Sequence, residues 1–514
     1  MVAVLLCYLL YQFLLSHVEG DQAYLLYAAQ QMLHGVQLDG PQLIETNPPL
    51  IVWFSEIPAL LGRMLHVQAV FALRMVTLGM LAGSAAWGWR LLQSAGTVAV
   101  FGKRAARVLW AATFLLITLT QPAEFGQREQ LLLALFLPYL LAVGSGVVAK
   151  LGVAERVALG ACAGLAVCFK PQHLLTIVCL ELFVALTTRT LRRLLAPELL
   201  TAVLVGALYV GAVRLFTPAY LLVITPLLRD TYWALGEYSL AQMALHVGRA
   251  LSLASVCAAG AWLLLRGRLA LPQFEGAVLA SGVGAVLAYF QQHTGWYHQR
   301  FPATALLEIG AVWVIADLAR GRLRGAEPAP RLGRFAWAVL PVCGLLLFAG
   351  VWAHKRQAPP PSDDLQAELT RLPPGTTVYA FSVGMNAFPV VEEHHLTWGS
   401  RFAHLWMLPA IRANEAATPG APPAHVLPPG RVAELAALQR SETTQDLVRT
   451  QPAAIFVEQC TQMHPCGSYR APFDAVTWFS QDAGFAAVWS HYALCRRIDG
   501  FDMYIRVGGL RCST

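Results

Sequence analysis

Apolar runs long enough to cross about 30 Å of hydrocarbon recur along the first two thirds of the chain. They fall near 1–17, 68–92, 107–121, 130–147, 153–169, 172–188, 198–214, 249–265, 272–290, 302–318 and 335–353. The pattern predicts about eleven transmembrane helices. A polar stretch at 18–49, VEGDQAYLLYAAQQMLHGVQLDGPQLIETNPP, follows the first run. An acidic residue where a span leaves the membrane is costly, so Asp21 reads as placed for a purpose. Asp21, Tyr24, Ala28 and Gln31 share one face at helical spacing, and Leu25, Leu26 and Leu33 can lie against lipid. Gly35, Gly40 and Pro41 interrupt that helix. Asn47-Pro48-Pro49 forces an extended turn, and a proline at the first helical position starts a second helix, LIVWFSEIPALLGRML. With Glu56, Arg63 and His66 among apolar residues, that helix is expected to lie at the interface.

After about residue 355 the pattern changes. Pro359 to Pro361, Asp363, Asp364 and Glu368 mark a linker into a polar segment of ordinary domain size. TTVYAFSV, PAAIFVEQ and FAAVWSHYALCRRI read as strands, RVAELAALQR and TQDLVRT as helices, and ANEAATPGAPPAHVLPPG as a loop. The expected fold is a polytopic α-helical membrane protein with a C-terminal extracytoplasmic α/β domain. Its division is a transmembrane domain at 1–355, carrying a first outer loop at 18–67, and the α/β domain at 356–514.

Composition agrees. The chain is 56% hydrophobic and 13% charged, too few charges to solvate a globule of 514 residues. Basic residues cluster in alternate connections: Lys103, Arg104 and Arg107; Arg189, Arg192 and Arg193; Arg266 and Arg268; and Arg320, Arg322, Arg324, Arg331 and Arg334. All fall on one side, which the positive-inside rule makes cytoplasmic. The expected setting is the plasma (inner) membrane, with the N-terminus inside and the C-terminal domain periplasmic. The formal charge of +7 then reports topology rather than nucleic-acid binding. No basic n-region or A-x-A site accompanies the first run, so it reads as a span and not a cleaved signal peptide.

The outer connections concentrate polar chemistry. QPAEFGQREQ at 121–130 brings Glu124, Arg128 and Glu129 into one short turn; the bland reading is snorkelling. YFQQHTGWYHQRFPA at 289–303 adds His298 and Arg300 to what could be a plain aromatic belt. Lys170, at an outer helix start, can reach a phosphate or simply snorkel. TPAYLLVITPLLRDTYWALGEY at 217–238 is amphipathic. Cys460, Cys466, Cys495 and Cys512 lie in the expected outer domain, where Cys460–Cys466 and Cys495–Cys512 are the favoured of three pairings. A zinc site with His464, Cys460 and Cys466 is the rival, although its spacing matches no familiar signature. Adjacent His394 and His395 would point to opposite faces of a strand, against joint metal ligation with Glu392.

A first span followed by an outer loop with an acidic residue, YxxxA, a glycine, a second Asp (Asp39) and an NPPL turn resembles the GT-C glycosyltransferases. These include the protein O-mannosyltransferases and the lipid A aminoarabinose transferases. The resemblance spans the topology of 1 to about 353 and is sharpest over 19–74, including ALRMVTLGML. One departure is Gly20, where several members carry a second acidic residue beside the one matched by Asp21. The resemblance implies transfer of a sugar from a polyprenyl-phosphate donor to a lipid, glycan or protein acceptor at the outer face. It also implies inversion with Asp21 as base, Glu124 as a second catalytic acid, and Tyr24, Asp39, Arg128, Glu129, Lys170, His298 and Arg300 binding substrate. A divalent metal bridging Asp21 and Glu124 to the donor phosphate fits these residue types, but no spacing demands it. The competing readings are N-capping for Asp21, and transport or lipid-linked sugar flipping for the whole chain. Transporters place charges near the midplane, whereas here the polar groups crowd one face.

Overall fold

The computed structural model describes residues 18–119, 124–236, 238–250, 253–323, 363–418, 423, 425–460, 472–498 and 500–512. The chain forms two compact units. One comprises 1–16, 73–211 and 238–358, and the other 17–72, 212–237 and 359–514.

The first unit is helical. Every expected span inside the described residues coincides with a helix, including Lys103–Leu119, Arg128–Gly144, Val153–Phe169 and Leu253–Leu265. Five helices among the described residues are long and apolar enough to cross a membrane: Ala69–Ser94, Pro171–Thr188, Pro197–Phe216, Pro272–Gln292 and Tyr297–Arg320. The expected spans at 1–17 and 335–353 lie outside the described residues, as do Arg324, Arg331 and Arg334. Helix Arg128–Gly144 runs through the core and is buried along nearly its whole length, polar first turn included. Helix Pro272–Gln292 packs on Leu174–Thr188 and on Tyr297–Leu323. A Cβ at Gly284 would sit 2.4 Å from the Leu175 carbonyl oxygen, so this close approach requires a glycine.

Two of the basic connections close onto buried acids. Arg193 bridges Glu181 and Glu198 at 2.9 and 2.6 Å, and Arg156 reaches Glu198 at 2.8 Å. Arg320 pairs with Asp317, whose other oxygen accepts the Ala270 and Leu271 N–H groups. Glu181, Glu198 and Asp317 are therefore partnered, as a low-dielectric setting demands.

The second unit contains a five-stranded mixed sheet with helices between its strands. Its strands are β1 (Thr377–Phe381), β2 (Thr397–Trp398), β3 (Ala454–Glu458), β4 (Tyr492–Ile498) and β5 (Phe501–Arg506), in the order β2-β1-β3-β5-β4. β1 is parallel to β2 and β3, and β5 runs antiparallel to β3 and β4. Two expectations are corrected. FAAVWSHYALCRRI is not one strand: Ala483–Trp489 is a helix capped by Asp482, and β4 begins only at Tyr492. RVAELAALQR and TQDLVRT merge into a single helix, Pro429–Thr450. Cys495 and Cys512 form a disulfide with a Cα–Cα separation of 5.5 Å. The Cys460–Cys466 pairing and the His464 zinc alternative fall outside the described residues.

The loop at 18–67, expected to be part of the transmembrane domain, belongs to this second unit rather than to the helical one. Leu25 and Leu26, expected against lipid, are instead buried in protein. Helix Gly20–Leu33 packs on Pro49–Leu65 and on the short helix Phe388–Glu393. Tyr24 and Tyr27 meet the Phe388 ring edge-on at 4.7 and 5.8 Å. Backbone contacts complete the join: Ile44 N–H donates to the Arg401 carbonyl at 2.7 Å, and Trp398 N–H donates to the Tyr27 hydroxyl at 3.0 Å. The amphipathic segment after Phe216 joins the same unit through Arg431, which holds Asp230 at 3.0 Å.

Candidate active site

The residues singled out in the sequence gather into two clusters, one in each unit. In the second unit the focus is Asp21, half-buried in the first turn of helix Gly20–Leu33. The Asn47 amide donates to Asp21 at 3.4 Å and to Glu45 at 2.7 Å. The Asn47 backbone N–H also donates to Glu45, at 2.8 Å. Glu45 N–H in turn donates to Asp39 at 3.2 Å. The Asn47-Pro48-Pro49 turn thus fixes a chain of three carboxylates through neutral donors.

Burial pushes the Asp39 carboxyl up to about 7, against the pull of the Glu45 N–H. Asp39 adopts a positive φ of 57°, a conformation that Asp tolerates better than most residues. Its position is that of a turn-former. Tyr24, expected to bind substrate, is only 1% exposed and donates to the Ile44 carbonyl at 3.0 Å, so its place is in the core. His404, on the loop after β2, is held down to about 4 by burial, with the Asp21 charge acting in the opposite direction. The sequence reading missed Glu45 and His404, and it took Asn47 only as a turn residue. The NPP turn was the available signal for Asn47; nothing local marks His404.

In the first unit, Glu124 and His298, 174 positions apart, meet at 3.4 Å between Oε1 and Nδ1. Glu129 is fully buried and ion-paired with Lys170. The positive groups acting on Glu129 are Lys170, His298 and Arg128. Arg300 lies 4.8 Å over the Tyr297 ring. Gln130 clamps the turn that carries Glu124, accepting from Gly126 N–H at 2.8 Å and donating to the Ile117 carbonyl at 2.9 Å. All six outer-turn residues expected at the site therefore belong to this unit. Arg128, Lys170 and Arg300 set three fixed cations against Glu124 and Glu129, so the cluster keeps a positive surplus. His173 adds a buried ring whose Nδ1 lies 3.1 Å from the Thr176 hydroxyl. Among the described residues no group of three or more His, Cys, Asp or Glu side chains could hold a metal ion.

No protein-family model matches the chain, and no curated protein sequence matches it. Its structure, however, is similar over nearly its whole length to ArnT from Cupriavidus metallidurans, crystallised bound to undecaprenyl phosphate. The TM-score is 0.55 at 14% identity, covering 99% of this chain and 97% of that one. The likeness is one of fold, over nearly the whole of both chains. Within this fold the choice of Gly20 has a local cause. A Cβ there would lie 2.6 Å from the Met385 carbonyl oxygen, so the loop after β1 occupies the space that a second acidic side chain would need. Asp21 is the acidic residue of the helix's first turn, and Glu19, just before the helix, is exposed.

Proposed function

We propose that this protein is a membrane glycosyltransferase that uses a polyprenyl-phosphate-linked sugar and works at the outer face of the membrane. The observation that carries the reading is the full-length GT-C fold likeness to a protein crystallised with undecaprenyl phosphate. Each cluster carries residue types that such a transfer requires. The acceptor hydroxyl oxygen bonds to the anomeric carbon as the bond from that carbon to the phosphate oxygen breaks. The electron pair leaves with the lipid phosphate, and the hydroxyl proton passes to Asp21. Attack from the face opposite the leaving group inverts the anomeric centre.

Asp21 suits the base because it is half-buried at a helix start, where the Asn47 amide donates to it and orients it. The lipid phosphate needs positive charge in a low-dielectric place. Arg128, Lys170, His298 and Arg300 supply it, with Glu124 and Glu129 fixing their positions. The transporter reading gains nothing from Glu181, Glu198 and Asp317, which are all closed onto arginines.

The test is release of free undecaprenyl phosphate from a panel of undecaprenyl-phosphate sugars by the full-length protein in lipid. Turnover by the wild type and its loss in Asp21→Asn is the expected result. Equal turnover in both would remove Asp21 from the chemistry.

A further inference from the structure

β1 and β2 are parallel, so the loops that follow them, 382–387 and 399–407, leave the same edge of the sheet. In open α/β sheets that carboxyl edge is where ligands are bound. Here the edge is polar. Ser382 donates to Glu458, the last residue of β3, at 2.8 Å, and Gly384 N–H donates to Ser382 at 2.9 Å. The start of the Asp21 helix is pressed against the same edge, because Gly20 abuts Met385.

Two ring nitrogens in the second loop are buried without a hydrogen-bond partner: His404 Nδ1 and Trp406 Nε1. A buried polar atom left unpaired costs free energy, and each such atom in a folded protein calls for an explanation. The His404 ring donates to the Val383 carbonyl, which assigns its proton to Nε2 and leaves Nδ1 as an acceptor. Trp406 Nε1 can only donate. Asp21 is the carboxylate whose charge acts on His404. The edge therefore offers an acceptor and a donor in one loop, close to the proposed base.

A hydroxyl both donates and accepts, whereas an ammonium group only donates. A second hydroxyl next to the one that Asp21 deprotonates would satisfy what this loop leaves unpaired. We propose that His404 is a specificity-determining residue that accepts a hydrogen bond from a hydroxyl vicinal to the attacking one, so that the acceptor is a sugar presented through a vicinal diol. This rests on the reading of Asp21 as base, and it gives the C-terminal domain a direct part in substrate selection.

The probe is a panel of methyl glycosides of hexoses and pentoses, each paired with its 2-, 3- and 4-deoxy analogues. Binding to the full-length protein in nanodiscs is followed by saturation-transfer NMR, which requires no turnover. At least one glycoside is expected to bind, and removal of one hydroxyl should weaken it by about tenfold. His404→Gln keeps a donor for the Val383 carbonyl but removes the acceptor at Nδ1; it should bind glycoside and deoxy analogue equally. His404→Asn restores an acceptor near the Nδ1 position and should recover part of the discrimination, which a merely structural role would not produce. Should His404→Gln fail to fold, recovery or loss in His404→Asn decides alone. Binding by no glycoside, or discrimination that survives His404→Gln, overturns the proposal. Because the assay reads binding, its failure is distinct from failure of Asp21→Asn to abolish undecaprenyl phosphate release.

Discussion

The two polar clusters treat their carboxylates in opposite ways. Around Asp21, acids meet neutral donors: the Asn47 amide serves Asp21 and Glu45, and a backbone N–H serves Asp39. Around Glu129, acids meet cations: Lys170 pairs with Glu129, and His298 with Glu124. A carboxylate held by neutral donors keeps its basicity and can take a proton. One locked to a buried cation loses that capacity, but it orders the cation for a second anion. The contrast is between carboxylates linked through an amide and carboxylates linked to cations.

The comparison breaks first at Asp21. Asp21→Asn preserves shape and the Asn47 contact while removing the base, so transfer should fall about 10²- to 10⁴-fold with folding unchanged. The assay is undecaprenyl phosphate release alongside thermal unfolding. The other cluster should respond in the opposite sense. Lys170→Met strands Glu129 as an uncompensated buried charge, with an expected cost of about 3–5 kcal/mol. Adding Glu129→Gln should recover most of that stability but not the activity, as read by thermal unfolding in detergent and by the same assay. Gly20→Ala sharpens the comparison at its geometric edge. Its Cβ would fall 2.6 Å from the Met385 oxygen, so the join should weaken by about 1–3 kcal/mol, measured by proteolysis of the outer loop.

The smallest effect is in pH dependence. The Asp39 carboxyl moves from 3.8 up to about 7, and burial with the neighbouring Glu393 charge raises Glu392 from 4.5 to about 7. Both groups hold a proton in the folded unit that the unfolded chain has already released. The stability they contribute is present below the ordinary carboxylate range and is lost as pH rises towards 7. Asp39→Asn with Glu392→Gln should flatten that decline in unfolding midpoints measured from pH 4 to 8. A slope that persists in the double variant would place its origin in other groups.

Much of this was legible along the chain because long apolar runs and a Pro-rich turn are local signals. The described apolar helices, the interruption after Leu33 and strands β1 and β3 all follow from period and punctuation. What was not legible depends on pairs distant in sequence. FAAVWSHYALCRRI hides the helix–strand switch at Ser490 because its apolar residues suit either period. β5 escaped notice because Asp502 and Arg506 break its apolar alternation. Leu25 and Leu26 satisfy a lipid-facing pattern as well as a protein-facing one, and the packing of their helix on Pro49–Leu65 and on distant Phe388–Glu393 decides between them. Among the site residues, those on outer turns could be read from charge density. His404 could not, since its meaning comes from Asp21 at the far end of the sequence.

The second unit is assembled from three stretches of chain, 17–72, 212–237 and 359–514. During synthesis the first stretch emerges long before β1 and β3 exist. Helix Gly20–Leu33 cannot complete its packing until Phe388 and Trp398 have been made. Completion of the Asp21 turn thus waits on synthesis of the last stretch, and a ribosome that stalls before it would leave Tyr24 and Tyr27 without those partners.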